Sequence, residues 1–218
     1  MRAWSYVITT DRGSAPNYDE PAVTLAICKP RIRAKARIGD LVLGFNGSTL
    51  SGRPHSLRWA GIVSNVLPLE KYWDDPHFRT KRPETSASPD NIYRIVGNQL
   101  CQAPNSSHDE RHVATDIRGR NALIFSRSWH FGENGPELEE DFGLRVPMNM
   151  RRTELLTEID TELWVELEAW LDHHDEGLPF ASALKGRTCR TLQQPSANCR
   201  PSIKPPPCPI PRSGAQPR

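Results

Sequence analysis

The sequence predicts an α+β fold with a curved, largely antiparallel sheet, flanking helices and a disordered C-terminal tail. Three observations predict this class. Short runs of β-branched and aromatic residues occur in pairs separated by polar loops, as in antiparallel hairpins. Helical patterns lie between these runs without the regular alternation of βαβ units. Residues 188–218 are rich in proline and have no apolar periodicity that could bury a face.

The strands are predicted from apolar runs bounded by turn residues. Residues 41–45 and 59–66 are two such runs joined by a Gly/Ser/Pro loop, and they predict an antiparallel hairpin. The other predicted strands cover residues 4–9, 23–28, 91–96 and 122–126. Residues 97–121 are mostly polar and are expected to form a connection that carries Asn105, His108 and Asp116.

Three helices are predicted. Pro30 suits a first helical turn and Gly39 a helix end, so a short helix is expected between them. A second short helix begins at Pro68. The third has apolar residues at helical spacing with acids between them, which predicts an amphipathic helix packed on the core. These apolar residues are Ile159, Leu163, Leu167, Trp170 and Leu171.

The composition predicts one domain, residues 1–187, and a tail, residues 188–218. Hydrophobic residues make up 37% and charged residues 25% of the 218 residues, which allows a single core. The tail holds five basic residues and no acidic ones, so the folded part is not strongly basic despite the net charge of +2. Non-specific attraction to DNA must therefore be local or come from the tail.

The hydropathy and the cysteine pattern indicate the expected location of the protein and whether a disulfide or zinc motif is present. No apolar stretch is long enough to span a bilayer, so no membrane association and a cytoplasmic location are expected. The 5 cysteines form neither a disulfide framework nor a CxxC zinc motif. The sequence identifies no cofactor.

The first candidate site residues are basic. Lys29 and Arg31 lie next to the start of the predicted helix at Pro30, where ammonium, guanidinium and amide groups can contact phosphate. A solvated helix face is the alternative interpretation of these charges.

Further candidates are four residues on predicted strands, Trp4, Tyr6, Asn91 and Tyr93. We expect Tyr6, Asn91 and Tyr93 to converge on one pocket with His108, which lies in the polar stretch between strands. Trp4 and Tyr6 share one strand face, as do Asn91 and Tyr93, because residues two apart point the same way. Aromatic rings can stack on a base and an Asn amide can pair with a base edge. The alternative is that these side chains belong to the core.

His108 is the candidate proton carrier, with Asp109 or Asp116 as its carboxylate partner. An enzyme is expected to place a carboxylate within reach of His108. His112 lies four residues further on, but the spacing gives no third ligand, and no metal site is predicted. Ser126 and His130 lie at the end of a strong strand, where side chains often reach a site.

Successive motifs of this chain are similar to those of the nucleotide-modification-associated domain 2 family. The motifs are WSYVIT (4–9), CKPRIR (28–33), IGD (38–40), YWDDPHF (72–78), DNIY (90–93), QAPNSSH (102–108) and FG (131–132). Residues 34–66 also resemble, locally, the PUA and EVE group of small barrels, whose pocket between sheet and helices accepts a base. A barrel-like sheet is therefore one form the fold could take.

The resemblance implies a role beside enzymes that modify nucleotides or DNA bases. The expected ligand is a nucleotide or a modified base, free or in DNA, and base-modifying enzymes are possible partners. The leading hypothesis is a binding domain in such a pathway. The alternatives are an enzyme that uses His108 as acid and base, and an adaptor that docks partners through residues 205–207. His130 stands where the family pattern has Tyr, which alters the expected ligand contact there.

Overall fold

The computed structural model describes residues 1–50, 52–105, 108–138, 140, 143 and 155–174. The strands are β1 (Arg2–Ile8), β2 (Val23–Leu25), β3 (Leu41–Asn46), β4 (Leu57–Pro68), β5 (Tyr93–Val96), β6 (Gln99–Gln102), β7 (Asn121–His130) and β8 (Leu155–Glu158). The helices are α1 (Pro30–Lys35), α2 (Leu69–Asp74), α3 (Glu110–Asp116) and α4 (Thr161–His174). Short 3-10 turns cover Pro76–Lys81, Ile117–Gly119 and Gly132–Asn134.

The main sheet confirms the predicted α+β class. Its strand order is β2-β7-β4-β3-β1-β8, and β5 and β6 form a separate hairpin. Only β1 and β3 pair in parallel among the described strands, so the sheet is largely antiparallel, as expected. The barrel-like form was wrong for the described residues. The short edge strands β2 and β8 do not pair with each other, and the sheet stays open.

Both faces of the main sheet are buried, and alternate side chains of β1 pack into two different hydrophobic clusters. Ala3 and Val7 join α4, which contributes Leu167 and Leu171. Trp4, Tyr6 and Ile8 face the opposite way, together with Ile32 of α1. A third cluster joins α2, β5 and the first residues of β7. Burial on both faces explains why β1 and β3 are almost continuously apolar.

Most predicted elements are confirmed, and their ends differ by a few residues. The antiparallel pair β3 and β4, the helix that begins at Pro30 and the amphipathic helix α4 are where the patterns placed them. Strand β5 begins at Tyr93, so Asn91 lies before the strand and not on it.

The polar stretch after β5 was predicted as a connection, which was wrong for two segments. It contains strand β6 and helix α3, neither of which has a strong apolar period. Helix α3 instead begins at a capping residue, because the Asp109 side chain accepts a hydrogen bond from the Arg111 backbone N–H. The predicted tail lies outside the described residues. Among the described residues, no helix combines the length and apolar character needed to cross a membrane.

Candidate functional site

A cavity of about 490 Å³ lies at the carboxyl end of β1. Three segments form most of its wall: the turn after β1, the segment after β2, and the loop that leads into α3. The lining residues are Ile8, Thr9, Thr10, Arg12, Ser14, Ala15, Ile27, Cys28, Lys29, Asn105, His108, Asp109, Arg111 and His112. Its volume is typical of small-molecule sites, which span roughly 300 to 1,000 Å³.

Residues 26–29, here called the Cys28 segment, connect β2 to α1 in an unusual conformation. Cys28 has φ 57° and Lys29 has φ 40°, so two consecutive residues with side chains lie in the left-handed region. Such conformations cost roughly 1 to 3 kcal/mol each and persist only when surrounding contacts hold them. The chain enters α1 directly afterwards, at Pro30. The half-buried Cys28 therefore lies in a tight turn at the cavity wall.

Arg33 supplies contacts that hold this turn. Its side chain is fully buried, and its guanidinium donates hydrogen bonds to four backbone carbonyl groups. The acceptors are Ala26, Cys28 (2.7 Å), Asp116 and Asn121 (3.2 Å). The guanidinium also packs against Gly119, where a Cβ atom would lie 2.3 Å from Nη2. One side chain thus ties the Cys28 segment to the end of α3 and to β7.

His108 reaches the Cys28 segment from the loop before α3. The Asn105 side chain accepts a hydrogen bond from the His108 backbone N–H at 2.6 Å, and Gln102 Nε2 donates to the His108 carbonyl at 3.1 Å. These two contacts fix the backbone on both sides of the imidazole. The His108 side chain is only 10% exposed.

Cys28, His108 and Asp116 form one hydrogen-bonded row, here called the Cys–His–Asp cluster. Cys28 Sγ lies 3.3 Å from His108 Nε2. His108 Nδ1 lies 2.7 Å from Asp116 Oδ2 on the other edge of the ring. Tyr93 donates its hydroxyl hydrogen to the same Oδ2 atom at 2.9 Å. Oδ2 thus has two donors that fix the orientation of the carboxylate.

The cluster is charged at neutral pH. Burial lowers the pKa of His108, but hydrogen bonds to Asp116 and Cys28 outweigh that effect and raise the pKa to about 10. Burial likewise raises the pKa of Asp116, while the hydrogen bond and charge of His108 reverse the shift and hold it below its ordinary value. The imidazolium therefore donates Nδ1–H to the carboxylate and Nε2–H to the sulfur.

This order of groups is the one used for nucleophilic catalysis. A cysteine thiolate is the nucleophile, an adjacent imidazole moves the proton, and a carboxylate fixes the imidazole tautomer and orientation. The carboxylate expected within reach of His108 is thus present, and it is Asp116 rather than Asp109.

A metal site is the other chemistry that these three residues could support. Their ligand atoms all lie within 4.8 Å of one another. However, Cys28 contacts Nε2 while Asp116 contacts Nδ1, on opposite edges of the ring. One imidazole gives a single ion one nitrogen, so the three residues in this arrangement cannot ligate the same ion. The arrangement fits a proton relay better than a metal centre.

Of the predicted site residues, the structure brings Lys29, Tyr93 and His108 together. Lys29 and His108 line the cavity, and Tyr93 reaches His108 through Asp116. Tyr6 lies beneath the wall, fully buried, with the Lys29 ammonium 4.6 Å from its ring centre. Its hydroxyl accepts a hydrogen bond from Trp59 Nε1, so Tyr6 belongs to the core.

The remaining predicted residues do not contribute their side chains to the cluster. Trp4 is buried and donates Nε1–H to Asp40, and the Asn91 amide donates to the carbonyl groups of Tyr72 and Phe78. Asp109 lines the cavity, but its exposed carboxylate caps α3 and pairs with Arg111. The others lie outside the cavity lining: exposed Arg31 on α1, exposed Ser126 on β7, and His130, whose ring packs edge-on against Tyr18.

Two important residues were missed by the sequence analysis, and a third was assigned only as an alternative. Cys28 was treated as one of several unpaired cysteines, although a cysteine at a strand end with His and Asp elsewhere is a recognisable signal. Arg33 was not among the candidate residues, yet its side chain is completely buried. Asp116 was considered beside Asp109, and spacing alone could not choose between them.

The fold and the cavity define a class of protein: an α+β protein with a half-buried thiol, an imidazolium and a carboxylate in one row at the cavity wall. The family model described as Nucleotide modification associated domain 2 matches residues 1–185, and the chain belongs to that family. The family description associates the protein with nucleotide modification. No curated protein and no solved structure shows significant similarity to the chain.

Proposed function

We propose that this protein is a cysteine-dependent enzyme that binds a nucleotide or modified base and cleaves or transfers an acyl-type group on it. The observation that carries the proposal is the row in which Cys28 Sγ lies 3.3 Å from His108 Nε2 while Asp116 occupies Nδ1. A pure binding module has no need for a thiol held in line with an imidazole and a carboxylate at its cavity wall. The nucleotide part of the proposal rests on membership of the family.

In the proposed first step Cys28 reacts as a thiolate beside the His108 imidazolium, and its Sγ forms a bond with the carbonyl carbon of an ester, amide or thioester. The carbonyl π electrons move to its oxygen and then return, which breaks the bond to the leaving group. His108 Nε2 gives its proton to that leaving group as the bond breaks. The products are a thioester on Cys28 and a neutral imidazole.

The second step restores the resting state. Water, or an amine acceptor in a transfer reaction, adds to the thioester carbon and gives its proton to His108 Nε2. The C–S bond breaks, and the thiolate and the imidazolium are restored together. Asp116 keeps Nδ1 protonated throughout, and Tyr93 holds the carboxylate in place.

Burst kinetics with p-nitrophenyl acetate test the proposal without knowledge of the natural substrate. The wild-type protein should release one equivalent of nitrophenol rapidly, with an acetyl group on Cys28 that peptide mass mapping detects. Cys28→Ala should lack both the burst and the adduct at residue 28. His108→Ala should slow acylation by about 10²-fold or more, since a positioned acid–base group contributes roughly 10² to 10⁴.

Three results would contradict the enzyme proposal. The first is a wild-type protein without a burst or acetylation of Cys28. The second is a burst in Cys28→Ala as large as in the wild type, and the third is an acylation rate that His108→Ala leaves unchanged. Circular dichroism of both variants serves as the folding control. A bound zinc ion required for the burst, detected by loss of the burst on dialysis against a chelator, would favour the metal interpretation instead.

A further inference from the structure

The lining of the cavity carries more positive than negative side chains. Arg12, Lys29 and Arg111 contribute to it, against the single carboxylate of Asp109. Deeper in the wall, the protonated imidazole of His108 adds a further positive charge. A concave surface with one dominant sign attracts and holds an oppositely charged group.

Arg12 is placed to receive such a group. It lies in the turn after β1, where Asp11 Oδ1 accepts a hydrogen bond from the Gly13 backbone N–H. Ser88 donates its hydroxyl hydrogen to the Arg12 carbonyl at 2.6 Å, which fixes the backbone of the turn. Among the described residues, the exposed guanidinium of Arg12 has no hydrogen-bond or ion-pair partner. The backbone of Arg12 is thus fixed by hydrogen bonds, and its guanidinium can bind an anion.

Arg111 also lines the cavity, from the first turn of α3. Its Nε and Nη2 atoms bind Asp109 Oδ2 at 2.9 and 2.5 Å, which orients the guanidinium. In the part of the chain that the structure describes, its Nη1 group has no partner. Guanidinium groups bind phosphate oxygens through paired N–H donors, so two arginines that line one cavity suit a phosphate.

We propose that Arg12 and Arg111 form a phosphate subsite in the lining of the cavity, and that the substrate is a nucleotide held by its phosphate with its base directed inward. The placement of the base beside Cys28 rests on the proposed function, whereas phosphate binding does not require any chemistry at the thiol. The cavity volume of about 490 Å³ accommodates a nucleoside monophosphate.

Calorimetric titration of Cys28→Ala tests this subsite separately from catalysis. The probes are the four 2′-deoxynucleoside 5′-monophosphates, the matching nucleosides, inorganic phosphate and a short single-stranded oligodeoxynucleotide. Monophosphates should bind at least about tenfold more tightly than nucleosides, and the difference should shrink as salt rises. A monophosphate that binds more tightly than the oligonucleotide identifies the free nucleotide as the source of the phosphate, and the reverse result identifies DNA.

The matched variants use the Cys28→Ala background. Arg12→Ala and Arg111→Ala should each weaken monophosphate binding by about tenfold or more and leave nucleoside binding unchanged. Arg37→Ala removes the same charge from an exposed position outside the cavity lining and should change neither affinity.

Equal affinity for nucleosides and monophosphates, or equal effects of Arg12→Ala and Arg37→Ala, would overturn the phosphate subsite. Monophosphate binding in a protein that shows no acetylation of Cys28 would support the subsite and contradict the enzyme proposal. The two proposals can therefore fail independently.

Discussion

Asp116 Oδ1 accepts a hydrogen bond from the backbone N–H of Cys28 at 2.8 Å. The carboxylate of the cluster thus contacts the thiol-bearing residue directly, as well as through His108. One oxygen atom braces the left-handed turn of the Cys28 segment and the other orients the imidazole. The position of the sulfur and the protonation of the ring consequently depend on the same side chain.

Replacing Asp116 with Asn should therefore remove the reactivity of Cys28 while the size of the side chain is preserved. A neutral amide no longer stabilises the imidazolium, and it can select the wrong tautomer of His108. Acylation by p-nitrophenyl acetate should slow by about 10²-fold or more. Asp74→Asn changes an exposed aspartate on α2 and is the control, for which the rate should stay unchanged. Equal rates in the two variants would contradict the assigned role of Asp116.

Arg33→Lys should destabilise the fold although the charge is kept. A lysine ammonium cannot reach the carbonyl groups of Ala26, Cys28 and Asn121 together, so buried acceptors lose their donors. We expect a loss of about 2 to 4 kcal/mol in the free energy of unfolding, measured with urea. The control Arg37→Lys lies at an exposed position and should change the free energy by less than about 0.5 kcal/mol. A similar small change for Arg33→Lys would contradict its bracing role.

The stability supplied by His108 should depend on pH in a defined direction. Its pKa is raised to about 10 in the folded protein, above the ordinary value of 6.5. Its contribution is therefore complete below about pH 6.5 and is lost as pH rises through about 10. The difference in unfolding free energy between the wild type and His108→Gln should shrink between pH 6 and pH 10. Lys81, whose pKa is lowered to about 8, titrates in both proteins, so its effect largely cancels. A difference that does not vary with pH would argue against the ion pair.

His130 should lower the free energy of unfolding as the pH becomes acidic. Burial, followed by the charge of Arg58, lowers its pKa from 6.5 to about 4. The unfolded chain takes up a proton between these two values and the folded chain does not, so stability should fall as pH drops from about 6.5 to about 4. His130→Phe should flatten this part of the stability profile, as measured by urea unfolding at pH 7, 5.5 and 4.5. An unchanged slope would place the titrating group elsewhere.

Removal of residues 188–218 should leave the folded domain intact. The prediction comes from the sequence, because a proline-rich segment without apolar periodicity buries little surface. The melting temperature and the p-nitrophenyl acetate burst of the truncated protein should match those of the full chain, both measured in reducing buffer. A large fall in melting temperature would move the domain boundary, and loss of the burst alone would give the tail a functional role.

The sequence predicted the elements with strong periodicity and missed those without it. Strand β1 and helix α4 follow from apolar spacing, because burial of one or two faces imposes that spacing. Helix α3 is polar on most of its surface and begins at the Asp109 cap. A single capping residue is a weak sequence signal for a helix.

The candidate site was only partly predictable for a related reason. His108 was identified from its chemistry, but its partners come from distant segments that no spacing rule connects. The left-handed conformation of Cys28 and Lys29 is imposed by Arg33 and Asp116, so it could not be inferred from local sequence. Tyr6 and Asn91 were plausible ligand contacts that the finished fold uses in the core.

The Cys–His–Asp cluster forms only late in the synthesis and folding of the chain. Cys28 and His108 are 80 residues apart, and Cys28 and Asp116 are 88 residues apart. During synthesis the thiol leaves the ribosome long before either partner, so a nascent or misfolded chain carries an ordinary, unassisted cysteine. Under the proposed function, we expect full reactivity toward acyl groups only in molecules that have completed the fold. A reagent that labels activated thiols should accordingly count correctly folded molecules in a cell extract.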